Sequence, residues 1–176
     1  MEWTNLLNQR IKETYRAADN LMGLLTDGEL GWKPATGQNW MTAGQLLKHM
    51  TESCGMCCQA FATGDWSFGG SDEQEECENP EGGLLPADAL PTIGSVAEAR
   101  KLLEQDRLLS LRLIEEVGAE RLDSELSGAP WDPDNQKSLG HNFLDMVGHL
   151  ESHKSQLFYY LKLMGKDVNT MTLWGM

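Results

Sequence analysis

Residues 138–164, SLGHNFLDMVGHLESHKSQLFYYLKLM, carry the clearest helical pattern in the chain. Apolar side chains recur there at alternating intervals of four and three, the spacing that puts residues on one face of an α-helix. The members of this row are Leu139, Phe143, Met146, Leu150, His153, Leu157, Tyr160 and Met164. We therefore predict an amphipathic helix that begins near Ser138, ends before Gly165 and carries a histidine within its apolar row.

Three other segments repeat this periodicity, and no part of the chain alternates convincingly in the manner of a β-strand. They run over residues 4–25, 42–63 and 95–117, and the last of them stops at Gly118. Capping boxes, Thr42 with Gln45 and Ser95 with Glu98, predict where the second and third helices begin. Four helices in 176 residues predict a single all-α domain over residues 1–176.

A long acidic connection separates the second and third helices. Residues 65–94 contain several glycines and prolines, and six carboxylates lie between Asp72 and Glu81. A connection of this length can run the length of a bundle, so the two helices can point the same way. The spacing of an EF-hand is absent, so we interpret the carboxylates as solvated. A lid formed by Trp66 and Phe68 over one end of the bundle is a further hypothesis.

The chain is acidic, with 27 Asp and Glu residues against 14 Lys and Arg and a formal net charge of −13. This balance argues against binding to nucleic acid, which selects basic surfaces, and against docking on anionic lipid. No apolar stretch approaches the roughly 18 residues of a membrane span, and the N-terminus lacks the pattern of a signal peptide. We therefore expect a cytoplasmic protein with reduced thiols and with no nucleic-acid or membrane partner.

The spacing of the histidines predicts a metal site. His149 and His153 lie one helical turn apart, with His153 inside the apolar row and His149 just outside it on the same flank. His49 flanks the apolar stripe of the second helix, whereas His141 falls on the far side of its own helix, toward solvent. Two imidazoles one turn apart can chelate one ion, and a third from a neighbouring helix completes a three-nitrogen site with open positions. The alternative is that each is a partly buried structural histidine.

Other polar residues fall near these histidines in the sequence. Asp145, Gln156 and Glu52 are candidates to bond the second ring nitrogens of metal-bound histidines, and each could equally be a solvated surface residue. Five arginines could bind a substrate carboxylate, and we assign none of them this role. They are Arg10, Arg16, Arg100, Arg107 and Arg112.

The cysteines suggest redox chemistry by spacing but packing by position. Cys54-Gly-Met-Cys57 has the spacing of a redox pair, yet it lies within a predicted helix with both thiols on the apolar stripe. We therefore interpret these cysteines as part of the core, and a role as an extra metal ligand is the weaker alternative. Cys77 lies apart in the acidic connection, where we expect an exposed thiol.

Two runs of sequence resemble the DinB/YfiT-like metal-binding superfamily. The first is Trp32-Lys33-Pro34 followed by residues 40–50, WMTAGQLLKHM, which match a W-x-P loop and a capped helix with one ligand histidine. The second is residues 149–165, which match H-x-x-x-H-x-x-Q-L and then Y-L-x-x-x-G. The resemblance covers nearly the whole chain, and the order of the motifs makes it fairly specific.

This resemblance implies a four-helix bundle with up-down-down-up connectivity. It also implies that His49, His149 and His153 hold a divalent transition metal, commonly nickel or zinc. Relatives include transferases and isomerases that use low-molecular-weight thiols such as bacillithiol or mycothiol. We therefore expect a metal-dependent thiol S-transferase or a related enzyme that acts on a small molecule. The alternative is a non-catalytic bundle, stress-associated or of unknown function, that binds a metal or a small ligand.

The end of the chain is apolar. Met171, Leu173 and Trp174 follow the last predicted helix. Exposed apolar surface often belongs to a contact, so we predict that these residues pack under another loop or form a homodimer interface.

Overall fold

The computed structural model describes residues 3–67 and 86–176. Within these ranges the chain is mostly helical, as the periodicity predicts. The helices are α1 (Trp3–Met22), α2 (Ala43–Met50), α3 (Gly55–Thr63), α4 (Val96–Ser124), α5 (Leu139–Leu163) and α6 (Thr170–Leu173), with 3-10 turns at Asp27–Glu29 and Ala87–Ala89. A hairpin of β1 (Leu126–Ala129) and β2 (Asp132–Ser138) joins α4 to α5. No helix in the described ranges is both long and apolar enough to cross a bilayer.

The apolar core lies where the long helices meet. Helix α1 packs against α4 and α5, α3 packs against the same two helices, and α2 packs mainly against α5. The predicted apolar row of α5 faces this core, and its members Leu139, Phe143, Leu150 and Leu157 are fully buried. Burial of this row fixes the rotation of α5 about its axis. That rotation turns the flank that carries the paired histidines toward α2.

The capping box predicted at Thr42 is confirmed, and the one predicted at Ser95 is half formed. The backbone N–H of Gln45 donates to the Thr42 hydroxyl at 3.2 Å, and the Gln45 side chain accepts from the Thr42 N–H at 2.8 Å. Ser95 accepts from the backbone N–H of Glu98, but the Glu98 carboxylate accepts from the N–H of Gly94. Ser138 likewise accepts from the backbone N–H three residues later. Each cap satisfies a donor that has no partner within its helix, which is why these residues begin helices.

The prediction of one continuous helix over residues 42–63 is wrong in one respect, because this segment forms two helices. Helix α2 ends at Met50, and α3 begins at Gly55 after Cys54, whose φ of −125° and ψ of −70° are not helical. A Cβ at Gly55 would lie 2.5 Å from the Asp106 backbone oxygen, so α4 approaches closely here. The break shifts the register of the apolar stripe. Cys58 takes the buried position predicted for Cys57, which is only partly buried.

The hairpin contradicts the prediction that the chain has no strands. Leu126 pairs with Ser138 and Ala129 pairs with Asp132 in an antiparallel ladder. Most of its residues are exposed, so the hairpin has no alternating apolar pattern to detect. It is held instead by backbone pairing and by Asn142, whose side-chain amide donates to the Ser127 carbonyl at 2.9 Å.

The predicted end of the third helix at Gly118 is a kink rather than an end. Gly118 has a φ of 74° and a ψ of 164°, and helical residues resume and continue to Ser124. The resumed segment brings Leu122 into the core, where it is fully buried. Burial of this side chain therefore favours helix beyond the glycine.

The C-terminal tail packs on the chain itself. Helix α6 lies against α1, and Leu173 contacts the core. The buried Lys154 donates from Nζ to the Leu173 carbonyl at 3.2 Å and lies 5.1 Å from the Trp174 ring centre. Met171 and Trp174 remain about half exposed, and a homodimer contact through them stays a prediction.

Several expectations fall on residues 68–85, outside the described residues. They are the exposed thiol of Cys77, the solvated carboxylates between Asp72 and Glu81, and the contribution of Phe68 to a lid.

Candidate metal centre

Three of the four histidines converge on one point between α2 and α5. His49 lies in the last turn of α2, and His149 and His153 lie one turn apart on α5. The Nε2 atom of His149 is 3.2 Å from that of His49 and 2.9 Å from that of His153. All three candidate ligand atoms lie within 4.8 Å of one another. The predicted cluster is thus present, and its geometry is compatible with metal binding.

His141 lies apart from this cluster, as its position on the helix predicts. It is exposed in the first turn of α5, and its Nδ1 shares a hydrogen bond of 2.9 Å with the Ser138 hydroxyl. Its ring meets the edge of Trp3 at a centroid distance of 4.6 Å. The first contact belongs to the N-terminal cap of α5 and the second is with α1, so neither belongs to the site.

Burial keeps the three clustered imidazoles neutral. It lowers the pKa of His49 to about 4, helped by the two neighbouring histidines. Burial also lowers the pKa of His149, with the charge of His153 acting in the same direction, and it lowers the pKa of His153. A neutral imidazole offers a nitrogen lone pair, which is the form that binds a metal. The site therefore presents three nitrogen donors at neutral pH.

Gln156 is the one of the three predicted outer partners that bonds a cluster histidine. Its Oε1 lies 3.1 Å from Nδ1 of His153. Asp145 instead pairs with Lys137 at 2.7 Å, and Glu52 forms an ion pair with Lys48 one turn before it. The structure thus assigns the two carboxylates to surface ion pairs and the amide to the site.

The break between α2 and α3 places the backbone of Ser53 near His149. Ser53 raises the pKa of His149 against the effect of burial, which is the direction in which an accepting carbonyl acts. Had residues 51–54 been helical, this carbonyl would have been used within the helix. Gly55, an isolated glycine inside a helical pattern, was the available signal for the break.

The buried carboxylate of Asp106 supports this break. Asp106 accepts from the backbone N–H groups of Gly55 at 3.0 Å and Met56 at 3.1 Å, and from the Tyr15 hydroxyl at 2.5 Å. It thereby caps α3 from the neighbouring helix α4, on whose buried face Asp106 lies. Burial raises the pKa of Asp106, and its three donors act in the opposite direction.

The cysteines near this cap are packed thiols. Cys54 and Cys58 are buried, and burial raises the pKa of Cys58 and brings that of Cys57 to about 11. A thiol with a raised pKa is neither a ready nucleophile nor a ready metal ligand, because both roles need the thiolate. Among the described residues, the group with metal-site geometry contains the histidines and no cysteine.

The donor set and its spacing fit a divalent transition metal. Nitrogens bound about 2.05 Å from one ion, at angles between 90° and 109°, lie about 2.9–3.4 Å apart. The two measured Nε2 separations, 2.9 and 3.2 Å, fall in this interval. His153 uses its outer nitrogen for a hydrogen bond to Gln156, which leaves its Nε2 atom facing the Nε2 atom of His149.

Comparison with known proteins agrees with this arrangement. The sequence model of the DinB superfamily matches residues 10–157, which include all three clustered histidines. A comparison with the curated proteins finds no match. The matched range covers most of the 176 residues, so the chain belongs to the DinB superfamily.

Proposed function

We propose that His49, His149 and His153 bind one divalent transition metal ion, nickel or zinc, in an up-down-down-up bundle. The observation that carries the proposal is the convergence of their Nε2 atoms at separations of 2.9 and 3.2 Å. Three protein ligands leave coordination positions open to an exogenous group, as in catalytic rather than structural sites. The bonded outer nitrogen of His153 supports the same assignment, because such bonds orient ligand histidines.

The chemistry that we propose is activation of a small thiol or of water. A divalent ion lowers the pKa of a bound thiol or water and so supplies a nucleophile at neutral pH. The chain's own contribution is to hold three neutral, partly buried imidazoles in place. A thiol-dependent S-transferase of the bacillithiol or mycothiol type fits this arrangement, and family resemblance supports it. The acidic net charge of −13 favours a small molecule over nucleic acid as the substrate.

A non-catalytic metal- or ligand-binding bundle is the second candidate. It is favoured by the side chains around the cluster. Glu52 and Asp145, the carboxylates expected near the ligands, are both engaged by lysines. Four of the five arginines considered for a substrate carboxylate are also in ion pairs, namely Arg10, Arg100, Arg107 and Arg112. The described part of the chain therefore offers no evident general acid or base beside the three imidazoles.

Metal analysis of protein purified without a nickel column tests the metal site. We expect about one ion per chain in the wild type and less than about 0.1 in His153→Ala, since removing one of three ligands leaves a weak chelate. His141→Ala is the matched control, because it removes an exposed imidazole from the same helix. Less than about 0.1 ion per chain in the wild type, after incubation with nickel or zinc, would contradict the proposal.

A screen of low-molecular-weight thiols with electrophilic substrates then separates the two candidate functions. We expect thiol-dependent turnover by the metal-loaded wild type and none by His153→Ala. Loss of the electrophile at equal rates in both proteins would favour the non-catalytic bundle.

A further inference from the structure

A line of hydrogen bonds connects the loop before α2 to the cluster. The Tyr160 hydroxyl donates to the Met41 carbonyl at 2.9 Å, and the Gln156 Nε2 donates to the Tyr160 hydroxyl at 3.1 Å. At its other end, Gln156 Oε1 lies 3.1 Å from Nδ1 of His153. The line therefore begins at a backbone carbonyl and ends at a candidate metal ligand.

The carbonyl at one end sets the direction of every bond. A carbonyl oxygen can only accept, so the single hydroxyl proton of Tyr160 goes to Met41. The hydroxyl oxygen then has only lone pairs to offer Gln156, so the NH₂ side of the amide faces it. The amide oxygen in turn faces His153 and accepts from Nδ1–H. A neutral imidazole with its proton on Nδ1 has a lone pair on Nε2, the atom that faces the cluster.

We propose that Tyr160 is a positioning residue that fixes the tautomer of His153. It holds the Gln156 amide in one orientation, and the amide keeps the His153 proton on Nδ1. If the amide turned over, its NH₂ would face Nδ1 and would favour the tautomer whose proton lies on Nε2. That proton would occupy the direction in which a metal binds. The consequence for the metal rests on the proposed function, whereas the tautomer is a property of the metal-free chain.

The surroundings of Tyr160 fit this role. The residue is 2% exposed, and the edges of Trp32 and Trp40 meet its ring at centroid distances of 5.2 and 6.2 Å. Burial raises its pKa, so the hydroxyl keeps the proton that it donates. Tyr160 also occupies a position in the apolar row of α5, where a phenylalanine would pack as well. The hydroxyl is therefore the part of this side chain that packing alone does not explain.

The first test reads the tautomer directly in the full-length, metal-free protein. Long-range proton–nitrogen spectra of ¹⁵N-labelled histidine distinguish Nδ1–H from Nε2–H, and His153→Gln assigns the signal. We expect the Nδ1–H form in the wild type and a mixture of both forms in Tyr160→Phe. Tyr159→Phe is the matched control, because it removes the same atom from an adjacent exposed tyrosine. It should leave the wild-type spectrum unchanged.

A second pair of variants separates positioning from packing. A carboxylate accepts on both oxygens, so Gln156→Glu no longer needs an orienting neighbour. The double variant Gln156→Glu/Tyr160→Phe should therefore recover the Nδ1–H form that Tyr160→Phe loses. A role for Tyr160 in packing alone would not be rescued in this way. If Tyr160→Phe does not fold, Gln156→Leu removes the acceptor directly and should give the same mixture.

Zinc affinity by chelator competition supplies the third reading. Changes in the outer partners of ligand histidines reduce metal affinity by about 10- to 100-fold, and we expect at least about 10-fold for Tyr160→Phe. An Nδ1–H spectrum and wild-type affinity in Tyr160→Phe would overturn the positioning role. A wild type that binds no metal, while Tyr160→Phe still shifts the tautomer, would overturn the proposed function alone.

Discussion

The carboxylate of Asp106 gives the sharpest test of how the site is supported. Asp106→Ala removes the acceptor for three donors in the interior: the Tyr15 hydroxyl at 2.5 Å and the backbone N–H groups of Gly55 and Met56 at 3.0 and 3.1 Å. The residue is 4% exposed, so water does not already serve these donors. The substitution should destabilise the start of α3 and, with it, the break that presents Ser53 to His149.

The size of the effect follows from the donors that lose their acceptor. The Tyr15 hydroxyl can turn to Ser110 Oγ, 3.1 Å away, whereas the N–H groups of Gly55 and Met56 are left without an acceptor. A buried donor left without an acceptor costs about 1–3 kcal/mol, so the two would cost about 2–6 kcal/mol in a rigid structure. Water that enters the space left by the carboxylate recovers part of this, and we expect about 2–4 kcal/mol. For a chain of 176 residues, each kcal/mol lowers the melting temperature by about 2–4 °C, so the melting temperature should fall by about 4–16 °C.

Urea unfolding of the metal-free protein measures this loss, and zinc competition measures its effect on the site. Glu104→Ala is the matched control on the same helix. Its carboxylate is exposed and pairs with Arg107 at 2.6 Å, so we expect a loss of at most about 1 kcal/mol. Asp106→Asn keeps one acceptor oxygen, so its loss of stability should fall between those of Asp106→Ala and Glu104→Ala. If Asp106→Ala were no more destabilising than Glu104→Ala, the carboxylate would not support the break.

Burial lowers the pKa of the cluster histidines, that of His49 to about 4. The folded chain therefore binds fewer protons than the unfolded chain, so metal-free stability should fall as the pH drops from about 6.5 toward 4. Zinc should persist at pH 6 in equilibrium dialysis, and its loss at that pH would contradict the lowered pKa values. In a Cys77→Ser background, Cys57 and Cys58 should react with a thiol reagent at pH 7.5 at least about 100-fold more slowly than in urea, because their pKa values are raised. Equal reaction rates in the folded protein and in urea would show that these thiols are accessible in the fold. Gly118→Ala should cost about 1–3 kcal/mol by thermal unfolding, because the φ of 74° and ψ of 164° suit glycine alone. An unchanged melting temperature would show that the kink relaxes.

The helices were predictable where local sequence decides them. The apolar row of α5 and the capping box at Thr42 act over three or four residues, and the structure confirms them. The break before Gly55 depends on Asp106, which lies 51 residues away, so the glycine itself was the local signal and its partner was out of reach of any local pattern. The hairpin was missed for a related reason. Its exposed residues bury no apolar face, and a face of that kind is what periodicity detects.

The same division applies to the candidate site. The three histidines were predictable because their helical positions point them toward one space. The outer partners depend on tertiary contacts. The position of Ser53 near His149 depends on the break between α2 and α3, which was not predicted. The sequence indicated Tyr160 only as a core aromatic, because its hydroxyl bonds to Met41, 119 residues away. Asp145 and Glu52 have suitable spacing in the sequence, but each forms an ion pair with a nearby lysine instead.

The sequence distance within the cluster has a consequence for the order of assembly. His149 and His153 come together as soon as α5 forms, whereas His49 lies 100 residues from His149 and arrives only when α2 docks. A chain in which α5 has formed but α2 has not yet docked therefore offers two of the three nitrogens, and it holds an ion weakly. An ion bound by all three would act as a late cross-link that closes a long loop, and it would stabilise the docked state by about 2.7 kcal/mol at a free concentration of 100 times its Kd. Retention of the ion would then indicate that α2 has docked on α5.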